Sequence, residues 1–236
     1  MQYIIALLLI GLVILAHEFG HFIAARIVGV PIRIFSIGFG PKLWATTKSR
    51  TEYRIAVIPL GGYVMPDCED DKDFLALPVY KRIVMTAGGP VASMILPLFC
   101  FAAANCVSTG ADFNAVLIKP LHQIYHIFSL VIVSLLGLFS QHGQLSGIIG
   151  VVAQGGQFIG VSSIKALQFT GLISLNLAVL NLVPLPVLDG GKILLYLAEG
   201  LHPRFAKLHY PLAIAGWLLI MALMLYATVI DVVRLI

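Results

Sequence analysis

Apolar residues run along this chain in long unbroken stretches, not in the short rhythm of a half-buried strand or surface helix. Four stretches stand out, at about residues 3–26, 82–107, 165–188 and 211–233. As helices rising 1.5 Å per residue, each can cross the roughly 30 Å hydrocarbon core of a bilayer. Between the first two the pattern changes. "TEYRIAVIPLGGYV" (51–64) alternates polar and apolar residues and then reaches Pro-Leu-Gly-Gly, which predicts strands around a turn. A fifth stretch, 117–139, is apolar enough to insert, but Lys119, His122, Gln123 and His126 load its first half. It is expected to be interfacial or re-entrant on the outer face, without a full crossing. The glycine-rich 140–157 that follows predicts a loop or a re-entrant segment. The expected fold is an α-helical polytopic membrane protein with about four transmembrane helices. A small membrane-associated β-element sits between the first and second, and residues 1–236 form one domain without internal repeats.

Composition supports that class. Of 236 residues, 59% are hydrophobic and 11% charged, and the mean hydropathy is +0.98. A soluble domain carries about 25% charged residues. The net charge of +4 reports topology here and does not point to nucleic acid. Arg33, Lys42, Lys48, Arg50, Arg54, Lys72 and Lys81 fall between the first two spans, and Arg82 stands at the start of the second. The positive-inside rule therefore puts that loop in the cytoplasm and the N-terminus outside. Residues 1–16 lack a basic n-region and continue into the first span, so they read as a retained helix. Cys68, Cys100 and Cys106 match neither a disulfide framework nor a paired zinc motif. "DCEDDKD" (67–73) reads as a solvated acidic turn.

One interruption changes the picture. "VILAHEFGHF" (13–22) places two histidines and a glutamate inside the first span, where each ionisable group costs about 2.5–3.5 kcal/mol on insertion scales. Such groups persist where they meet a metal, one another or a water-filled cavity. His17 and His21 are four residues apart, hence on one helix face, and both imidazoles can reach one ion. Glu18 lies beside the first ligand, where its carboxylate can take a proton from water at the metal. A catalytic zinc site needs a third protein ligand and an open position. Asp189 is the best candidate: Pro184 and Pro186 should loosen the third span just before it. Gly190 and Gly191 permit a close backbone approach or a positive φ. The plainer reading of Asp189 is a helix terminator at the interface. His122 and His126 share the i, i+4 spacing, but no glutamate accompanies them, and an amphipathic surface explains them. His142, His202 and His209 are isolated.

"HEFGHF", "FSIGFGPKLW", "TEYRIAVIPLGGYV", "AGGPVAS" and "NLAVLNLVPLPVLDGG" together resemble the site-2 protease family of intramembrane zinc metalloproteases, its bacterial members above all. The match runs in order to about residue 200. The resemblance implies one Zn2+ held by His17, His21 and Asp189, with Glu18 as general base. It also maps conserved asparagines onto Asn176 and Asn181. Asn181 is expected near the substrate backbone, whereas Asn176 reads as interhelical glue. Two departures follow. The bacterial members carry PDZ domains between the second and third core helices, for which 105–164 is too short. Ser93 in "GPVAS" stands where the family has asparagine.

These features together predict an intramembrane zinc endopeptidase of the HExxH type in a bacterial inner membrane. Its active site would open to the cytoplasm. Its partners would be transmembrane-helix substrates and membrane lipid, and the resemblance implies cleavage of an anti-sigma factor or of signal-peptide remnants as candidate tasks. A substrate helix must unwind before attack, and an edge over 53–64 could pair with it. Tyr53, Ile55, Val57, Gly61 and Gly62 are the substrate-binding candidates there. A mid-membrane metal transporter would use His17, His21 and Asp189 but gives Glu18 no task. A non-catalytic scaffold needs neither base nor ligands.

Overall fold

The computed structural model describes residues 1–68, 71–137 and 147–235. Its elements are α1 (Gln2–Ile27), β1 (Ile32–Lys48), β2 (Thr51–Pro66), α2 (Asp71–Ala76) and α3 (Val79–Thr109), then α4 (Lys119–Gly137) after a π-helical turn, Asn114–Ile118. They continue with α5 (Ile148–Ile159), α6 (Ser163–Asn181), α7 (Asp189–Leu201) and, after a 3-10 turn at Pro203–Leu208, α8 (His209–Leu235). Among the described residues, five helical stretches are long and apolar enough to cross a membrane: Gln2–Ile27, Val79–Thr109, Asn114–Leu135, Ser163–Asn181 and Arg204–Ile230. The third adds to the four spans expected from the pattern. It covers most of the stretch expected to stay interfacial, and α3 meets two of its polar residues. Gln123 accepts from Asn105 at 3.1 Å and Lys119 donates to Thr109 at 3.4 Å. The loop expected over 140–157 is helical from Ile148, while 138–146, including His142, lie outside the described residues. At 12 residues α5 spans about 18 Å, short of a hydrocarbon core.

The first two spans pack through backbone. A side-chain carbon on Gly20 would overlap the carbonyl of Gly88, one on Gly88 would overlap the carbonyl of Gly20, and Ala24 and Ala92 complete each contact. Small residues at four-residue spacing let transmembrane helices approach this closely. One core cluster, Phe22, Ala25, Val30, Ile32, Phe35 and Met85, joins α1 to β1 and α3. Ala6, Ile159 and Phe169 join α1 to α5 and α6 at the other end. Arg26, in the last turn of α1, donates to Thr51 Oγ1 at 2.8 Å and so ties the helix end to β2.

The β-element is larger than the sequence pattern indicates, because β1 joins it. β2 turns back on itself at Gly61, whose φ of +103° favours glycine. Residues 34–37 consequently face 52–55 on one side and 62–65 on the other, while 44–48 pair with 51–55. This corrects the expected substrate edge. Tyr53 is paired with both Phe35 and Thr46, and Ile55 with both Ile37 and Trp44. The Tyr53 ring also packs against Phe22 and Phe35. The free edge nearer the helices is residues 62–66, which keeps Gly62 on it but leaves Tyr53 and Ile55 inside the sheet.

The third core span also differs. Pro184 and Pro186 stop it earlier than 188: α6 ends at Asn181 and α7 begins at Asp189. Gly190 and Gly191 serve close approach, since a side-chain carbon on either would strike the Leu182 or Leu185 carbonyl, and neither has a positive φ. Of 67–73, Glu69 and Asp70 lie outside the described residues and Asp71 opens α2.

Candidate metal centre

The 182–188 break delivers Asp189 to α1 at the first turn of α7, where the positive end of the helix dipole favours a carboxylate. His17 and Asp189 are buried, 5% and 7% exposed, at a depth where an unpartnered carboxylate is costly. His17 Nε2 lies 3.1 Å from Asp189 Oδ2 and 3.2 Å from His21 Nε2, and His21 Nε2 lies 3.4 Å from the same oxygen. Ligand atoms about 2.0–2.1 Å from a tetrahedral zinc ion sit about 3.3–3.4 Å apart. The three separations, 3.1, 3.2 and 3.4 Å, come close to the spacing such an ion imposes, and the groups are two imidazoles and a carboxylate, a zinc donor set. Among the described residues this is the one such group of three His, Cys, Asp or Glu, and His122 and His126 gather no third ligand.

Each histidine is oriented by its second nitrogen. His21 Nδ1–H donates to the Met85 carbonyl at 2.9 Å, and His17 Nδ1 faces Ser93 Oγ at 2.9 Å. Both leave the Nε2 lone pair for a metal. Gly89 provides the room, since a side-chain carbon there would overlap Nε2 of His21 and lie 2.6 Å from that of His17.

A cavity of about 890 Å³ opens beside these atoms. Glu18 and Asn181 line it, together with Val64, Met65 and Pro66 of the β2 edge. Asn181 Nδ2 is 3.4 Å from His17 Nε2. Tyr53, Ile55, Val57, Gly61 and Gly62 do not line it; the β2 residues that do are 64–66. Asn176 donates to the Leu172 carbonyl of its own helix at 2.9 Å and bridges no helix pair.

Two residues of an H-E-x-x-H helix joined by a carboxylate from a broken second helix, all among apolar spans, define a membrane-embedded metalloprotease. Comparison with known proteins agrees. The model of peptidase family M50 matches residues 5–225, and the chain belongs to that family, the site-2 proteases. No PDZ domain is among the family models that match it. Over 350 aligned positions the chain is 26% identical to a Campylobacter jejuni protein named as a zinc metalloprotease, covering all of this chain and 94% of that one. The alignment is longer than the chain, so that relative carries an insert absent here. A Clostridium perfringens protein of the same description is 24% identical over 99% of each chain. The regulator of sigma-E protease RseP of Escherichia coli is 44% identical over 111 residues, which are 42% of this chain and 24% of RseP. The cofactor is zinc, and the chain is a multi-pass membrane metalloprotease.

Sequence reasoning missed Gly89 and the contacts of Ser93. Both belong to the "AGGPVAS" stretch, whose position against α1 is a tertiary fact.

Proposed function

We propose that this protein is an intramembrane zinc endopeptidase that cuts transmembrane segments of other membrane proteins. The observation that carries the reading is the convergence of His17, His21 and Asp189, with Glu18 beside them, on a cavity among apolar helices. Zinc held by those three residues would lower the pKa of a water toward about 7 and polarise a peptide carbonyl. Glu18 opens on the same cavity, where its carboxylate is placed to take up a proton from water and to deliver one to the leaving amine. Asn181 can donate its amide hydrogens to a substrate carbonyl in the cavity. A substrate helix that unwinds there loses its internal hydrogen bonds, and the open edge at 64–66 offers replacements.

Arg33 lines the cavity and belongs to the basic loop, which supports an opening on the cytoplasmic side with the N-terminus outside. The bacterial relatives support an inner-membrane location. The partners are transmembrane-helix substrates and bilayer lipid. The name of the sigma-E protease supports a task in regulated intramembrane proteolysis, on an anti-sigma factor or on signal-peptide remnants. The test uses detergent-purified protein and a model transmembrane substrate. E18Q should lose about 10²–10⁴-fold of cleavage while keeping stoichiometric zinc, and H21A should lose the zinc itself. Zinc flux in proteoliposomes without any cleavage would replace this reading with that of a transporter.

A further inference from the structure

The two histidines are anchored differently. The Nδ1–H of His21 meets a main-chain carbonyl, which no substitution of a single side chain removes. The Nδ1 of His17 instead meets the hydroxyl of Ser93, a residue with no exposed surface. Ser93 is itself held: the hydroxyl of Ser174, equally buried on α6, donates to the Ser93 carbonyl at 2.8 Å. α3 therefore carries the anchor of His17, and α6 braces that anchor through its main chain. A hydroxyl can accept from Nδ1–H, and doing so puts the imidazole proton on Nδ1 and the lone pair on Nε2. That Nε2 is the atom 3.1 Å from Asp189 Oδ2.

We infer that Ser93 is a positioning residue for zinc, fixing the tautomer and ring orientation of His17, with Ser174 as its brace. The inference rests on the reading that His17 ligates zinc. Ser93 touches neither metal nor substrate, and its effect passes through His17 alone. Loss of an outer partner of a metal-bound histidine costs about 10–100-fold in metal affinity. The serine thus takes a task of its own at the position where asparagine was expected.

The full-length protein in detergent is titrated with zinc against a chelator of known affinity, and its melting is followed without metal. S93A should bind zinc about 10–100-fold more weakly, with the melting of the metal-free protein little changed. S93T and S93V present the same bulk with and without a hydroxyl. Threonine should hold zinc more tightly than valine by a similar factor, and only the valine variant should shift the visible absorption of the cobalt(II)-loaded protein. S174A should weaken zinc by less than S93A. Parental affinity in S93A, or equal affinity in the threonine and valine variants, would overturn the inference alone. Failure of the parent protein to bind zinc would overturn the metal centre along with it.

Discussion

Gly89 shows how narrow the tolerance of the centre is. Its hydrogen faces the two Nε2 atoms, so G89A would put a methyl group where they converge. Zinc content measured by mass spectrometry should fall to background in G89A. The equivalent change two positions on, V91A, alters a half-exposed residue facing away and should leave zinc in place. The ligands themselves could be read from the sequence. His17 and His21 are four residues apart, so local spacing alone sets their common face, with Glu18 next to the first of them. Asp189 was legible for a different reason: two prolines and two glycines announced an irregular backbone at membrane depth. Gly89 and Ser93 were not, because their importance comes from α3 lying against α1. Periodicity within one helix carries no information about its neighbour.

The start of α3 and the end of α7 are joined by a group with little resemblance to its greasy surroundings. Arg82 is 1% exposed and gives Nη1 and Nη2 to the two oxygens of Glu199 at 2.8 and 2.7 Å. It also donates Nε–H to the Leu77 carbonyl at 3.0 Å and lies 4.8 Å over the ring of Tyr196. Glu199 Oε2 is shared with His209 Nε2 at 2.9 Å, which reaches the first turn of α8. Removing one partner of a buried ion pair leaves the other uncompensated, at about 3–5 kcal/mol. E199A should lower the melting temperature markedly, with Arg82 left among apolar neighbours. The hydrogen bond from Arg82 holds the Glu199 carboxyl below the ordinary glutamate range. A depressed carboxyl stabilises the fold fully above its unfolded value and loses that contribution as pH falls through the folded one. The parent protein should therefore lose stability over the acid range, and E199Q, already destabilised, should show a flatter acid limb. Elements were legible unevenly. Three of the four long spans came within a few residues because lipid leaves no choice but a helix, whereas the third ends at Asn181, well short of 188. The β-element came out too small, since β1 holds no clean alternation beyond Ile37, and its bulges and pairings depend on β2 folding back.

At the level of the molecule, the helices are held with unequal strength. α6 buries its flank against α3, whereas α8 buries only Gly216 and Ala227 among its described residues. The cavity beside the metal centre lies between these two regimes, with Glu18 and His17 on α1 and with His209, Tyr210 and Ala213 on α8. The interval between α3 and α6, legible as too short for an inserted domain, is occupied by helices that pack on the bundle. The glycine contact between α1 and α3 has a mechanical consequence. Where two backbones already touch, no change of rotamer can bring them closer, and separation would strip His21 from the Met85 carbonyl. One wall of the cleft is thus a fixed jaw that carries both histidine ligands, and on the proposed function any widening to admit a helix falls to the opposite jaw, α8. Spin labels at the exposed Ile23 and Val91 should keep one distance when substrate is added to E18Q, while Ile23 and Leu218 should move apart. Movement in the first pair would mean that the metal's own ligands shift with every turnover. A fixed jaw lets a membrane enzyme open for a bulky guest without dismantling its chemistry.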